Sequence, residues 1–311
     1  MSAGAEAIAI DVEGLTKSFG TKKAVDHLTL KVERGRIHGF LGPNGSGKTT
    51  TIRMLCGLLT PDSGRGSCLG FDILTQQDQI KRRVGYMTQG FSLYRDLTIR
   101  ENLEFVARIY ELDDREEAVQ GALRRLGLED RADQLAEQLS GGWKQRLALG
   151  ACILPSPALL LLDEPTAGVD PKARRDFWDE IHRLASQGLT VLVSTHYMDE
   201  AERCHEIAYI VDGRLLAHGT SAQIIANSGL ATFVVTGPDL GALADRLKGM
   251  AGVDMVAPFG MALHVAGRDA RKLERIAQDF GRDGSQNWVK GEASLEDVFI
   301  DLMTHAERKK Q

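Results

Sequence analysis

The chain has 311 residues, 43% of them hydrophobic and 26% charged, and carries a formal net charge of −5. That length allows one large domain and one small one, each with an ordinary core, and the composition excludes a disordered chain. The acidic balance argues against a duplex-coating protein, which needs a basic face to neutralise phosphates, so nucleic acid is not an expected ligand.

The start, Met1 to Glu6, lacks the basic residues and apolar stretch of a secretion signal. No segment approaches the run of about 20 apolar residues that crosses a bilayer. Cys56, Cys68, Cys152 and Cys204 show neither CxxC spacing nor a nearby histidine pair, which reads as buried thiols in a reducing compartment. The basic end Arg308-Lys309-Lys310 sits beside Glu307 and reads as a solvated tail.

Residues Ile8 to Val12 and Leu28 to Val32 alternate apolar and polar, as half-buried antiparallel strands do, with Gly20 and Arg34-Gly35 as turn signals. The strand-like run Ile37 to Leu41 leads into Gly42-Pro43-Asn44-Gly45-Ser46-Gly47-Lys48-Thr49, which fits the phosphate-loop pattern at each fixed place. Glycines let backbone N–H groups approach phosphate oxygens closely, and the helix that follows presents its positive end. Lys48 adds a point charge, Thr49 a hydroxyl for Mg²⁺, and Thr50 joins the same helix start, so the site is expected to bind a nucleoside triphosphate.

Thr50 to Leu59 reads as a helix ended by the turn cluster Thr60-Pro61-Asp62-Ser63-Gly64. From about Asp96 to Leu154, apolar residues recur at helical spacing (Val119, Ala122, Leu123, Leu126, then Trp143, Leu147, Ala151, Leu154), which predicts a mostly helical insertion. Parallel-strand runs return at Ala158 to Leu162 and Thr190 to Ser194, separated by a helix over Lys172 to Gln187. Beyond about Thr220 the order is strand 231–236, helix 239–249, strand 252–257, strand 261–266, helix 269–281 and strand 286–290, a β-α-β-β-α-β ferredoxin-like pattern. The expected domains are thus 1–222 and an α+β module at 223–311.

Leu159 to Leu162 ends in Asp163-Glu164, and neighbouring strand side chains point to opposite faces. One acid can therefore serve a metal while the other serves water: Asp163 for Mg²⁺ beside Thr49, Glu164 for the proton of an attacking water. Ser140, before Gly141, Gly142 and an apolar-periodic segment, has the form of a helix N-cap at an anion-binding helix end. His196 follows Val193-Ser194-Thr195 at the end of a parallel strand, where side chains face the ligand crevice.

With the phosphate loop, the acidic pair and Leu139-Ser140-Gly141-Gly142 together, the chain resembles the nucleotide-binding subunit of ATP-binding cassette (ABC) transporters over roughly residues 8–222. The resemblance implies an α/β P-loop NTPase cassette with an N-terminal antiparallel β subdomain and a helical insertion, using ATP and Mg²⁺. It implies that Gln89, in Tyr86-Met87-Thr88-Gln89, contacts metal and water; that Phe19 stacks on adenine; and that His196 senses the γ-phosphate. Ser140, Gly141 and Gly142 are implied to cap ATP held by another subunit, with Asp170, in Pro165 to Asp170, coupling the sites across the interface. Trp143 departs from the glutamine commonest at its place.

The implied partners are a second copy or a paralogous ATPase subunit and a separate integral-membrane permease, met at the cytoplasmic face of the inner membrane; Phe91, Leu93 and Tyr94, next to Gln89, read equally as apolar and aromatic anchors for that permease and as core packing. Ser294 to Phe299 is similar to the C-terminal extension of the bacterial drug- and polymer-export branch. The rival reading is a soluble cassette ATPase acting on ribosomes or DNA; such relatives carry paired cassettes or long coiled coils, neither of which this sequence shows. A non-enzymatic nucleotide sensor is a third reading, opposed by intact Glu164 and His196.

Overall fold

The computed structural model describes residues 7–282 and 284–308. Met1 to Glu6, Lys309 and Lys310, and the side chains of Glu307 and Arg308, lie outside the described residues. The chain divides into two compact units between Leu215 and Leu216, earlier than the expected boundary after residue 222.

The first unit opens with the antiparallel pair β1 (Ile8–Phe19) and β2 (Lys22–Glu33), in register from Ile8 opposite Glu33 to Phe19 opposite Lys22. Both strands outrun the alternating runs of the sequence, because register shifts around Val12, Leu15 and Lys17 break the period-two pattern without ending the pairing. The strand β3 (Ile37–Leu41) is buried throughout and feeds α1 (Lys48–Leu55). This helix is shorter than the expected run to Leu59: Gly57 takes a left-handed φ of 73° and turns the chain out. The supposed turn residues Ser63 and Gly64 instead open β4 (Ser63–Cys68), which pairs with β1. A Cβ at Gly66 would sit 2.3 Å from the Asp11 carbonyl oxygen, so glycine here serves close strand approach. With β5 (Phe71–Asp72) these strands form a four-stranded sheet ordered β2-β1-β4-β5.

After α2 (Gln77–Lys81) and β6 (Val84–Met87) come the helices α3 (Ile99–Ile109), α4 (Arg115–Leu126) and α5 (Gly141–Ile153). Thr98 and Glu101 form a reciprocal capping box on α3, and Gly127 closes α4 in a left-handed turn at φ 64°. Leu103, Leu123 and Leu147, each 0% exposed, bind the three helices together, each worth about 2 kcal/mol over exposure. Then follow β7 (Leu159–Asp163), α6 (Pro171–Ser186), β8 (Thr190–Thr195), α7 (Met198–Ala201), β9 (Glu206–Val211) and β10 (Arg214–Gly219).

The six-stranded sheet runs β10-β9-β3-β8-β7-β6, and its pairs β9/β3, β3/β8, β8/β7 and β7/β6 are parallel. The C-terminal ends of β3, β6, β7 and β8 therefore share one edge. Four sequence-distant segments leave from it: the phosphate loop, the Gln89 turn, the Asp163-Glu164 pair and His196. Among the described residues, no helix is long and apolar enough to cross a membrane.

The second unit contains α8 (Ser221–Ser228), β11 (Ala231–Thr236), α9 (Leu240–Leu247), β12 (Met255–Phe259), β13 (Ala262–Gly267), α10 (Ala270–Gly281), β14 (Asn287–Gly291) and α11 (Leu295–Arg308). Its sheet is antiparallel and ordered β12-β13-β11-β14, the strand order of the ferredoxin-like pattern. Val235, Leu243, Leu247, Val265 and Leu273 form its core with α9 and α10. The helix α11 is additional to the expected pattern; buried Asp297 anchors it by accepting from the Ser294 N–H at 2.8 Å and from His264 at 2.9 Å.

Candidate active site

The phosphate loop is wedged between two backbones that admit no side chain at Gly42 or Gly47, while Gly45 faces open space. A Cβ at Gly42 would lie 2.1 Å from the Ile210 carbonyl oxygen, and one at Gly47, where φ is 104°, would lie 2.3 Å from that of Ala24. The Gly213 N–H donates to the Ser46 carbonyl at 2.9 Å, and the Asp26 N–H donates to the Gly213 carbonyl at 2.9 Å. Asp26 in turn accepts from Lys23 at 2.8 Å, His27 at 2.7 Å and Arg214 at 2.7 Å. Lys23 first, then His27 and Arg214, hold its carboxyl well below the usual carboxylate range. The loop thus rests on a charged clasp that joins β2 to the turn after β9.

Lys48 is 4% exposed and donates to the Gly42 and Pro43 carbonyls at 2.8 and 3.1 Å, while its ammonium stands 3.2 Å from Glu164 Oε1. Its charge is compensated inside the loop and remains directed at the acidic pair. The first N–H groups of α1 have no acceptor within their own helix. Ser46 Oγ is buried without a hydrogen-bond partner among the described residues. A polyanion satisfies such donors.

Asp163 and Glu164 diverge as their adjacency in a strand requires. Asp163 Oδ1 accepts from Thr49 Oγ1 at 3.0 Å and Ser194 Oγ at 2.8 Å. The carboxylate and hydroxyl oxygens of this pair are hard donors of the kind Mg²⁺ takes. Glu164, at φ 47°, is held by its N–H, which donates to the Ser194 carbonyl and hydroxyl at 3.2 and 3.0 Å. On its Oε2, Gln89 Nε2 donates at 3.2 Å and His196 Nδ1 stands at 3.3 Å. Lys48, Gln89 and His196, from three different segments, converge on this one carboxylate.

A cleft of 340 Å³ is lined by Phe19, Lys22, Ala24, Asn44, Gly45, Gly47, Lys48, Thr49, Thr50, Gln89 and Glu164, with Asp163 and His196 outside the lining and joined to it through Thr49 and Glu164. Phe19 is 54% exposed at the end of β1, an aromatic ring beside the loop with Lys17 Nζ 6.0 Å from its centre. Gly42, Pro43 and Ser46 do not line the cleft; they shape the loop from behind. Lys22 had no motif to mark it, since a lone lysine after a turn looks like any solvated residue.

Ser140, Gly141, Gly142 and Asp170 are absent from this lining. Ser140 is the N-cap of α5 yet is exposed, and its side chain makes no capping bond, leaving that hydroxyl to solvent or a ligand. A Cβ at Gly142 would meet the Ala173 Cβ at 2.6 Å, so α5 and α6 touch at their starts. Trp143 lies under the guanidinium groups of Arg131 and Arg146, 4.7 and 5.1 Å from its ring centre, and Arg146 reaches Asp176 at 3.0 Å. Asp170 caps α6 by accepting from the Lys172 and Ala173 N–H groups at 3.1 and 3.0 Å, with Pro171 at the first helical position.

Beside the Gln89 turn, a groove of 160 Å³ is lined by Thr88, Gly90, Phe91, Leu93, Val106 and Tyr110, among others. Tyr94 packs edge-on against Phe105 with ring centres 4.9 Å apart, and both are exposed, as are Ile109 and Tyr110. The sequence does not mark the residues from α3, because an apolar side chain on an amphipathic helix shows its exposure only after packing.

A family model described as ABC transporter matches residues 25–167. The probable multidrug ABC transporter ATP-binding protein YbhF of Escherichia coli is 44% identical over 221 residues, 70% of this chain and 38% of that protein. The chain therefore spans less than half the length of that relative. The Nod factor export ATP-binding protein I of Paraburkholderia xenovorans is 37% identical over 299 residues, 94% of this chain and 96% of that one. A solved dimer of the ATP-binding cassette MJ0796, in a post-hydrolysis state bound to ADP and Pi, has a TM-score of 0.62 and 26% identity, covering 68% of this chain and 98% of that one.

Proposed function

Because the chain belongs to the family of ABC transporter ATP-binding proteins, we propose that it closes as a dimer around a pair of ATP molecules and couples their hydrolysis to export through a separate membrane permease. The observation that carries this reading is the convergence of Lys48, Gln89 and His196 on Glu164, next to the Thr49–Asp163 pair.

Phe19 stacks on the adenine, and the loop from Gly42 to Gly47, with Lys48, Thr49 and Thr50, takes the phosphates. Thr49, Asp163 and Gln89 would hold Mg²⁺, which would supply positive charge against the phosphate oxygens. Glu164 accepts a proton from the water whose oxygen bonds to the γ-phosphorus as the bond to ADP breaks. His196 fixes the position of that carboxylate and of the γ-phosphate. The ordering of these groups supplies positioning and charge stabilisation rather than covalent chemistry.

Ser140, Gly141 and Gly142 stand outside the cleft of their own chain. The reading gives them the γ-phosphate bound to a second copy or a paralogous subunit, with Asp170 at the crossing between the two sites. The solved relative is dimeric, which supports this assembly. The groove around Phe91 and Leu93 shares Thr88 and Gly90 with the Gln89 turn, so a permease segment seated there on the cytoplasmic face of the inner membrane moves the water-positioning glutamine. The names of the relatives, multidrug and Nod factor export, support a drug, lipid or polymer as the class of cargo.

The test is purification of the tagged chain from detergent-solubilised membranes. Recovery of a stoichiometric integral-membrane partner is expected. Recovery with ribosomes or DNA alone overturns the transport reading.

A further inference from the structure

A buried glutamate outside the motifs joins the two loops on which the dimer reading depends. We propose that Glu200 is a positioning residue tying the loop Thr166–Asp170 to His196, so that the seating of that loop against a second subunit sets where His196 stands relative to Glu164. The inference rests on the dimer reading given above.

Glu200 lies on α7 and is 1% exposed, so its carboxylate must find its partners within the protein. It finds them on two sides. Thr166 Oγ1 donates to Oε1 at 2.5 Å from the loop after the acidic pair. Thr195 Oγ1 donates to Oε2 at 2.6 Å from the end of β8. The two oxygens of one carboxylate thus bridge two segments, and both bonds are short, as hydroxyl-to-carboxylate bonds are.

His196 is held from both neighbours by this arrangement. Thr195 is bound directly, and its Oγ1 also accepts from the Tyr197 N–H at 3.0 Å. The Thr195 carbonyl accepts from the Gly42 N–H at 3.3 Å, which carries the same anchor to the phosphate loop. On the far side, Arg174 leaves the first turn of α6, just past Asp170, and its Nε reaches Glu200 Oε1 at 3.5 Å. The same guanidinium stands 4.5 Å from the centre of the Tyr197 ring, which lies 4.0 Å from that of His196. A shift of the Asp170 loop has two routes to His196, through Thr166 and through Arg174, and both pass Glu200 or the residue beside His196.

The test is a kinetic cycle on the full chain. Thr166→Val keeps the shape and removes the hydroxyl; it is expected to lower kcat about tenfold while the ATP Kd stays within about twofold. Thr166→Ser restores the donor and returns kcat to the parental value. In a His196→Ala background, Thr166→Val costs less than about twofold, because the two residues act through one position. Glu200→Gln, which keeps the volume but weakens acceptance, lowers kcat in the same direction. Parental turnover in both Thr166→Val and Glu200→Gln overturns the proposal, as does a full Thr166→Val loss in the His196→Ala background. Glu164→Gln separates the two readings. If it turns over ATP normally, the ATPase reading falls and this one with it; if it is inactive while Thr166→Val and Glu200→Gln are both normal, only the role of Glu200 falls.

Discussion

The phosphate-loop end and the signature corner of this cassette are built on opposite plans. At the loop, the side chains around the acidic pair already have partners inside their own chain, Lys48 on two carbonyls and Glu164, Thr49 on Asp163, Gln89 on Glu164, while the Ser46 hydroxyl and the first N–H groups of α1 wait for a ligand. At the signature, Ser140 is exposed and its hydroxyl makes no capping bond, while Gly142 and Trp143 behind it are packed firmly against Ala173, Arg131 and Arg146. One end is preorganised to bind. The other is a packed backing with an exposed front, the arrangement the proposed dimer requires of the half that completes a second subunit's site.

That contrast can be broken from either side. The largest effect is expected at Glu164: Glu164→Gln lowers steady-state phosphate release about 100-fold or more while ATP still binds, since only the proton acceptor is lost. Next is Lys48→Ala, which removes a charged donor and weakens ATP about tenfold to a hundredfold by calorimetry. Ser140→Ala sharpens the comparison, because it is expected to reduce turnover about tenfold and to leave the affinity of the isolated chain within about twofold. Equal losses of affinity from Lys48→Ala and Ser140→Ala would place both ends in one chain's site and end the composite reading.

Two smaller effects probe the supports. The clasp at Asp26 depends on ionisation. Its carboxyl is depressed by Lys23, His27 and Arg214, so it contributes stability above the unfolded carboxylate value of about 4 and loses it as the pH falls toward its own lower value. Asp26→Asn is therefore expected to melt about 3 °C lower at pH 7, the gap narrowing below about pH 4. Burial pushes the thiols of Cys56 and Cys68 up to about 11 and about 12. Neither is expected to react with a maleimide at pH 7.5 until the chain is unfolded, as a thiol titration with and without denaturant will read.

The sequence made legible those parts of the site that are written locally. The phosphate loop, the acidic pair and the strand ending in His196 each sit within a few residues, and each was placed where the parallel sheet puts it. The ferredoxin-like order was likewise readable from alternation and helical spacing. Harder to read were features made by distant pairing. Glu200 meets Thr166 across 34 positions, and Gly66 serves a neighbouring strand rather than a turn. The pattern of Thr50 to Leu59 predicts a longer helix than α1 because it runs on through Gly57, whose backbone conformation decides the end. Trp143 was visible as a departure, but its two guanidinium partners come from a separate turn at Arg131 and from its own helix at Arg146.

Glu164 sits at a φ of 47°, a backbone setting that suits glycine better than any residue with a side chain. The carboxylate on which Lys48, Gln89 and His196 converge therefore occupies a place where the main chain alone would choose a residue without a side chain. A Glu164→Gly variant relieves that backbone setting but leaves the buried Lys48 ammonium without its carboxylate, so the main-chain gain is offset and the variant is expected to be idle.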